Sequence, residues 1–255
     1  MGTSWKDKTV SQNFNQYNDM LEDILGFHHI FQLIQNDSDI QSILDYGCGP
    51  GKVSKRLSKL NDAYDIYAVD QSEEMINLAS LTRNRANIHY QLIQNNNLNF
   101  IKSNSLDCAI VCFVIINNSD PCQIYTMLKE IYRVLKAHGQ LIILDSNPNA
   151  IGVEFTTFVN GERGKVYKPG DKRKQYLKIP GQPDLILNDW YWSKNDYLAW
   201  IAKAGFKSVE VTEPALDRLS QETRQFFEEK YDFNQWGNEK IIPPFVVFKS
   251  VKPGD

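Results

Sequence analysis

Apolar residues recur along this chain in two alternating rhythms. Between about residues 10 and 35, Phe14, Tyr17, Leu21, Ile24, Leu25, Ile30, Phe31 and Ile34 fall at the spacing of one buried helical face. This predicts one or two helices ahead of the first strand, with the polar run Asn36–Asp39 as a loop. Short apolar runs follow at residues 42–46, 64–69, 88–93, 106–114 and 141–144, as expected of strands buried on both faces. Helical stretches separate them. The helix after the second strand starts at Ser72, an N-cap residue followed by Glu73 and Glu74, and extends to about Asn84. The helix after the fourth strand opens at Asp120–Pro121, with proline in the first turn. It carries the stripe Ile124, Met127, Leu128, Ile131, Val134 and Leu135 to Lys136, and Gly139 ends it. Regular alternation of strand and helix predicts a parallel sheet covered on both faces.

The rhythm breaks after residue 146. Residues 147–190 carry Pro148, Pro169, Pro180 and Pro183 and glycines at 152, 161, 164 and 170, with Phe155, Phe158, Tyr167, Tyr176 and Trp190 among them. Alternation resumes with a helix over Lys194–Ala204, closed by Gly205, and a strand over 207–212. A polar, aromatic helical insert then runs to about Lys240, and the last strand is Pro244–Val251. The organisation predicted is one domain over 1–255, with a helical cap at 1–40 and an insert at 147–192.

Composition narrows the classes. The 255 residues are 42% hydrophobic and carry a net charge of −3. The basic clusters are short, such as Lys172–Lys174, which weighs against a nucleic-acid partner. Cys48, Cys108, Cys112 and Cys122 form no C-x-x-C pair. Together with His28, His29, His89 and His138 they make no metal-ligand pattern, so no metal site is expected. The polar N-terminus lacks an apolar leader core and no segment has membrane-spanning length, so a reduced, cytoplasmic protein off the membrane is expected.

The densest signal lies in residues 42–57. The apolar pair Ile43 and Leu44 ends a strand, and Asp45 stands at its tip. Gly47, Gly49 and Gly51 then alternate, allowing a tight turn and a close ligand, and Val53, Leu57 and Leu60 resume at helical spacing. A second acid, Asp70, ends the next apolar run, about 20 residues on, where a carboxylate accepts from a ribose diol. This is a nucleoside-binding βαβ unit. Lys52 occupies the place of the third glycine of a dinucleotide fingerprint, and no phosphate-loop pattern is present.

The pattern D-x-G-x-G-x-G over Asp45–Gly51 resembles that of the class I S-adenosylmethionine-dependent methyltransferases. The run from Leu128 to Ile143 is similar to a second stretch of that family, L-x-E-x-x-R-V-L-K-x-G-G-x-L, so the resemblance covers residues 41–146. It implies an α/β fold with a doubly wound, seven-stranded, mostly parallel sheet of order 3-2-1-4-5-7-6. N-terminal helices precede the sheet, an insert follows strand five, and the last two strands form a hairpin. It implies S-adenosylmethionine as cofactor. Asp45, Gly47, Cys48 and Gly49 would surround its methionine and ribose, with Gly51 allowing close helix packing. Asp70 would take the ribose hydroxyls, Gln71 and Met75 would lie beside the adenine, and Cys112 and Phe113 would touch the cofactor. Tyr17 would cap it. In the stretch Ile93–Leu98, Gln94 aligns with an acid that contacts the adenine amine in many relatives, and Asn95 is its neighbour; an amide carbonyl there accepts more weakly than a carboxylate.

The layout of residues 155–206 is similar to bacterial methyltransferases of natural-product pathways, implying a small-molecule methyl acceptor. The acceptor is expected over the C-terminal strand ends, beneath the 147–192 insert. Trp190, Tyr191 and Trp192, with Phe155, are candidates for a flat pocket wall against a planar metabolite, by the enrichment of aromatics in ligand sites. His28, His29, Asp145 and Asp189 are the candidate bases. Methyl transfer from a sulfonium is an in-line displacement that demands alignment and dryness rather than a triad or a metal. The acceptor atom is open between nitrogen, oxygen and carbon. Two further readings stay open, a methyltransferase acting on tRNA or protein, and a non-methylating S-adenosylmethionine-binding protein.

Overall fold

The computed structural model describes residues 2, 3, 5, 10, 13, 14 and 16–254. Part of the helical run expected from residue 10 therefore lies outside the described residues. Seven strands form the central sheet: β1 (Ser42–Tyr46), β2 (Asp65–Asp70), β3 (Ile88–Leu92), β4 (Leu106–Cys112), β5 (Leu135–Ser146), β10 (Lys207–Thr212) and β11 (Phe245–Val251). Their order is β10-β11-β5-β4-β1-β2-β3. Counted within this sheet alone, that is 3-2-1-4-5-7-6. The first five strands pair in parallel, and β11 runs antiparallel to both β5 and β10.

The helices follow from the local sequence. α1 is a continuous run of Met20–Glu22, a π turn over Asp23–Phe27, and His28–Gln35. α2 (Lys52–Leu57) starts from Gly51, which holds a left-handed φ of 78°. α3 (Glu73–Thr82) is capped by Ser72, whose side chain accepts from the Met75 amide. α4 (Pro121–Val134) is capped by Asp120, with proline in its first turn. α5 (Lys194–Ala204) opens on a reciprocal capping box between Ser193 and Asp196 and stops at left-handed Gly205. α6 (Gln221–Tyr231) lies between β10 and β11, so the antiparallel last pair is joined by a helix rather than a tight hairpin turn.

Two boundaries depart from the periodicity. Apolar spacing continues to Lys136, yet Leu135 is extended and pairs with Leu106 of β4, so β5 begins directly at the end of α4. Residues 147–192, expected as an insert with no elements assigned within it, contain a second sheet. It comprises β6 (Val153–Glu154), β7 (Phe158–Asn160), β8 (Lys172–Leu177) and β9 (Leu185–Trp190), paired antiparallel in chain order. Its short strands between turn glycines carry too little alternation to stand out from the sequence.

Buried apolar side chains fill both faces of the central sheet. One cluster joins α1 to β1, β2 and the small sheet through residues such as Leu21, Ile24, Ile43, Phe155 and Phe158. The other joins α4 and α5 to the opposite face through Ile124, Leu128, Tyr197 and Phe248. Among the described residues, no helix is long and apolar enough to cross a membrane.

Candidate active site

A cavity of about 510 Å³ opens at the C-terminal ends of β1, β2, β4 and β5, within the usual range of about 300–1,000 Å³ for a small-molecule site. The small sheet, α1 and the N-terminal segment complete its walls.

The glycine turn forms one side. The amides of Gly47 and Cys48 donate to the Val69 carbonyl at 2.8 and 3.0 Å, tying the turn to β2. Gly47 has φ 74°, and a Cβ there would stand 2.3 Å from Val114 Cγ2, so only glycine fits the close approach of the loop after β4. Asp70, at the end of β2, accepts from the Gly49 amide at 2.9 Å and the Ser72 amide at 2.8 Å. It both faces the cavity and braces the turn. Asp45 is buried and accepts a hydrogen bond from Ser54 Oγ of α2; burial pushes its carboxyl up to about 6. Lys52, the residue that is wrong for a dinucleotide, donates to the Tyr17 carbonyl at 3.2 Å and the Phe14 carbonyl at 3.4 Å. It ties the N-terminal segment to the turn.

Tyr17, Asp45, Gly47, Cys48, Gly49, Asp70, Gln71, Met75, Cys112 and Phe113 all line this one cavity. Gln94 and Asn95 do not. Both are exposed and border a separate surface depression. Asn95 and Asn96 are in succession left-handed, at φ 51° and 60°. That turn sends Asn96 inward instead. Asn96 is buried, accepts from Tyr46 at 2.7 Å and Gln71 at 2.9 Å, and donates to Gln123. Three consecutive asparagines carry no mark of which one points in. The arginine of the second family stretch, Arg133, is structural: it pairs with Glu130 at 2.9 Å and donates to the Leu98 and Ile101 carbonyls.

The aromatic wall is made by other residues than the tryptophan pair. Phe27, Phe113, Phe158 and Phe245 line the cavity. Phe158 stacks on Phe245 at 5.6 Å, and Phe113 meets Phe245 edge-on at 5.4 Å. Phe113 holds φ 57°, an uncommon conformation for an aromatic residue and one found at functional sites. Phe155 stands behind Phe158 at 5.0 Å, itself off the cavity wall. Trp192 is buried against Trp200 of α5 and donates its indole N–H to the Asn118 carbonyl at 3.1 Å. Tyr191 stacks on Tyr167, and Lys172 lies over Trp190. None of these three lines the cavity, because after β9 the chain turns away into the cap of α5.

Of the candidate bases, only Asp189 lines the cavity. Side chains alternate along β5, so Ser146 faces the cavity while Asp145 faces α5 and accepts from Tyr197 at 2.9 Å. His28 meets Phe227 of α6 edge-on, His29 sits beside it, and burial lowers the basicity of both.

The π turn in α1 supplies a residue that helical periodicity does not reveal. The His28 amide reaches the Asp23 carbonyl five residues back, which brings residues five apart towards one face. Glu22 and Phe27 thereby both line the cavity. Glu22 accepts from Tyr17 at 2.8 Å, and Tyr17 in turn meets Thr157 of the small sheet at 2.9 Å. Burial pushes the Glu22 carboxyl up to about 8.

The parallel sheet, the glycine turn and the two acids at the strand ends define a class I S-adenosylmethionine-dependent methyltransferase, and the chain belongs to that family. The methyltransferase domain family matches residues 43–139. The chain is 30% identical over 216 residues to N-demethylindolmycin N-methyltransferase of Streptomyces griseus, covering 83% of this chain and 90% of that one. Solved S-adenosylmethionine-dependent methyltransferases share the fold. The one from Aquifex aeolicus superposes with TM-score 0.57 at 17% identity over 95% of this chain and 98% of its own. That from Methanosarcina mazei gives 0.57 at 18% identity over 88% and 98%.

The residues present fit the cofactor. The space beside Gly49 is open: a Cβ at that position would meet no atom within 4 Å, so a ligand can lie directly against the backbone. The acids facing the cavity suit a cationic ligand.

Proposed function

We propose that the chain methylates a nitrogen of a small planar metabolite held between the glycine turn and the phenylalanine wall. The observation that supports this most is that one cavity joins the cofactor residues to Phe27, Phe113, Phe158 and Phe245. Asp19, Asp45, Asp70 and Asp189 also line it, beside a Glu22 that burial keeps protonated, and Lys52 is the one lysine or arginine among the described residues that does. Its field therefore opposes a phosphate backbone and a nucleic-acid acceptor. The nitrogen acceptor follows the Streptomyces griseus relative, whose name gives an N-methyl transfer.

When bound, S-adenosylmethionine supplies an electrophilic methyl on a sulfonium that leaves as a neutral thioether. Asp70 and the Asn96, Tyr46 and Gln71 network would hold the nucleoside, and Asp45 and the turn glycines the amino-acid tail. Phe27, Phe113, Phe158 and Phe245 exclude water and enclose the acceptor between ring faces and edges, so its lone pair is held in line without a reactive side chain, and the proton of the methylated nitrogen passes to water. Burial pushes the Cys48 and Cys112 thiols up, which keeps them protonated and unreactive beside the cofactor site.

The test is turnover with labelled S-adenosylmethionine against a panel of planar amines, phenols and heterocycles, with N-demethylindolmycin as first probe. Label appearing on nitrogen in a planar compound is expected. Label only on tRNA, on protein or on oxygen and carbon acceptors would replace this reading.

A further inference from the structure

We infer that the acceptor carries a neutral N–H donor and that Asp189, at the far end of the small sheet, is the residue that anchors it. This rests on the reading of the site as one for a planar nitrogen compound.

The inner face of the small sheet is graded. In the β8–β9 register Arg173 faces Asp189, Gln175 faces Leu187 and Leu177 faces Leu185. Alternate residues share a face, so this side of the sheet passes from leucines to an ion pair. Leu177 and Leu187 border the cavity beside Phe158, and Gln175 and Asp189 border it at the other end with Ser146.

The ion pair is fully enclosed. Arg173 and Asp189 are each 1% exposed, and Arg173 Nη2 lies 3.6 Å from Asp189 Oδ2. With its amide oriented to suit its neighbours, Gln175 donates to the same Oδ2 at 3.2 Å, accepts from Arg173 at 3.3 Å and takes the Ser146 hydroxyl. Both contacts to the Asp189 carboxylate thus go to Oδ2. Asp189 Oδ1 is buried and has no hydrogen-bond partner among the described residues.

A buried carboxylate oxygen without a donor is costly, and a buried ion pair gains little over an apolar pair of similar volume. Packing therefore gives no reason for Asp189 at this position, whereas a donor arriving in the cavity does. Arg173 faces both Asp189 and the buried Asp145. Burial pushes the Asp145 carboxyl up to about 7 and Tyr197 donates to it, so Arg173 chiefly balances Asp189, and a neutral N–H suits the vacant oxygen better than a second cation. Asp19 Oδ2 and Glu22 Oε2 are likewise buried without a hydrogen bond among the described residues, but they belong to the N-terminal wall. There Asp19 pairs with Arg56 at 3.0 Å and Lys52 at 3.8 Å, and Glu22 accepts from Tyr17. Asp70 holds two backbone amides and Asp45 holds Ser54, so Asp189 is the unpartnered acid on the leucine and phenylalanine side. An acceptor lying along the leucines and phenylalanines with its N–H on Asp189 is fixed in the plane of the wall. The same carboxylate then discriminates against isosteres that lack the donor, because they leave it unpaired.

The experiment is calorimetric titration of the full chain, saturated with S-adenosylhomocysteine, with two isosteric probes: indole, which has a ring N–H, and benzofuran, which has none. Indole is expected to bind at least about tenfold more tightly. In Asp189→Asn the preference should shrink. In the double variant Arg173→Met/Asp189→Leu, which removes both charges of the pair and leaves Asp145 held by Tyr197, it should vanish while S-adenosylhomocysteine affinity stays the same. Equal affinity for the two probes in the wild type, binding of neither, or a preference that survives in the double variant overturns the anchor. Nitrogen methylation is scored separately by product, so failure of the N-methyltransferase reading and failure of the anchor show in different measurements.

Discussion

The cofactor side of the cavity and the small sheet opposite it solve the same problem by different means. On the cofactor side, backbone geometry dominates: glycines at φ 74°, 53° and 78° clear space, and amides of the turn meet carbonyl and carboxylate oxygens of β2. On the small sheet, side chains dominate: one face offers leucines, Gln175 and Asp189, and β7 adds Phe158. A nucleoside is shared by a whole family and can be met by backbone that tolerates few residue types. On the proposed reading, the acceptor meets side chains on a separate sheet that can change without disturbing the turn.

That contrast can be broken by substitution. Trp192→Ala should cost the most stability, about 3–5 kcal/mol, since a buried indole and its bond to the Asn118 carbonyl are lost. Its kcat/KM for the acceptor should hold wherever the variant is folded. Denaturant titration beside kinetics checks this; a specific rise in acceptor KM would return the tryptophan to the pocket. Phe158→Leu should do the reverse, lowering acceptor kcat/KM about tenfold with S-adenosylhomocysteine affinity intact.

On the opposite side, Asp70→Ala should lose about 1.5–3 kcal/mol of cofactor affinity, through the ribose contact and the loosened Gly49 amide, with acceptor KM unchanged at saturating cofactor. Calorimetry with S-adenosylhomocysteine measures it, and an unaltered Kd in a folded variant would mean that the end of β2 does not reach the ribose. Gly47→Ala should cost about 1–3 kcal/mol from its left-handed backbone, with the clash against Val114 in addition. Gly47→Ala/Val114→Ala should recover only the part due to the clash. Full recovery would show that φ matters little here.

The smallest effect is on pH dependence. Glu22 keeps its proton in the folded chain up to about pH 8, whereas the unfolded chain releases it in the usual carboxylate range. Over that window the folded state binds more protons, so stability falls as pH rises, and the loss is complete above about 8. Glu22→Gln should flatten the slope of unfolding free energy by up to one proton between about pH 5 and pH 8. An unchanged slope would mean that Glu22 is ionised throughout.

Local sequence sufficed where a residue's role depends on its chain neighbours. The glycine turn, Asp70 at a strand end, the Ser72 cap and the Asp120–Pro121 helix start could be read because periodicity and turn chemistry act over a few residues, while the order of strands came from the family resemblance. Tertiary structure decided the rest. Among Asn95–Asn97 only the backbone turn selects Asn96, and a π turn that no periodicity announces brings Glu22 to the cavity. The aromatics at 190–192 suggest a wall by adjacency, but neighbouring side chains on a strand point to opposite faces and the next turn caps a helix. The wall comes instead from Phe27, Phe113, Phe158 and Phe245, which lie far apart in sequence and meet only when α1, β4, β7 and β11 pack together. Burial has the same origin: Asp189 reads as a candidate base and Arg173 as part of a short basic cluster until the pairing of β8 with β9 encloses them as an ion pair, and desolvation is a property of the surroundings rather than of the residue.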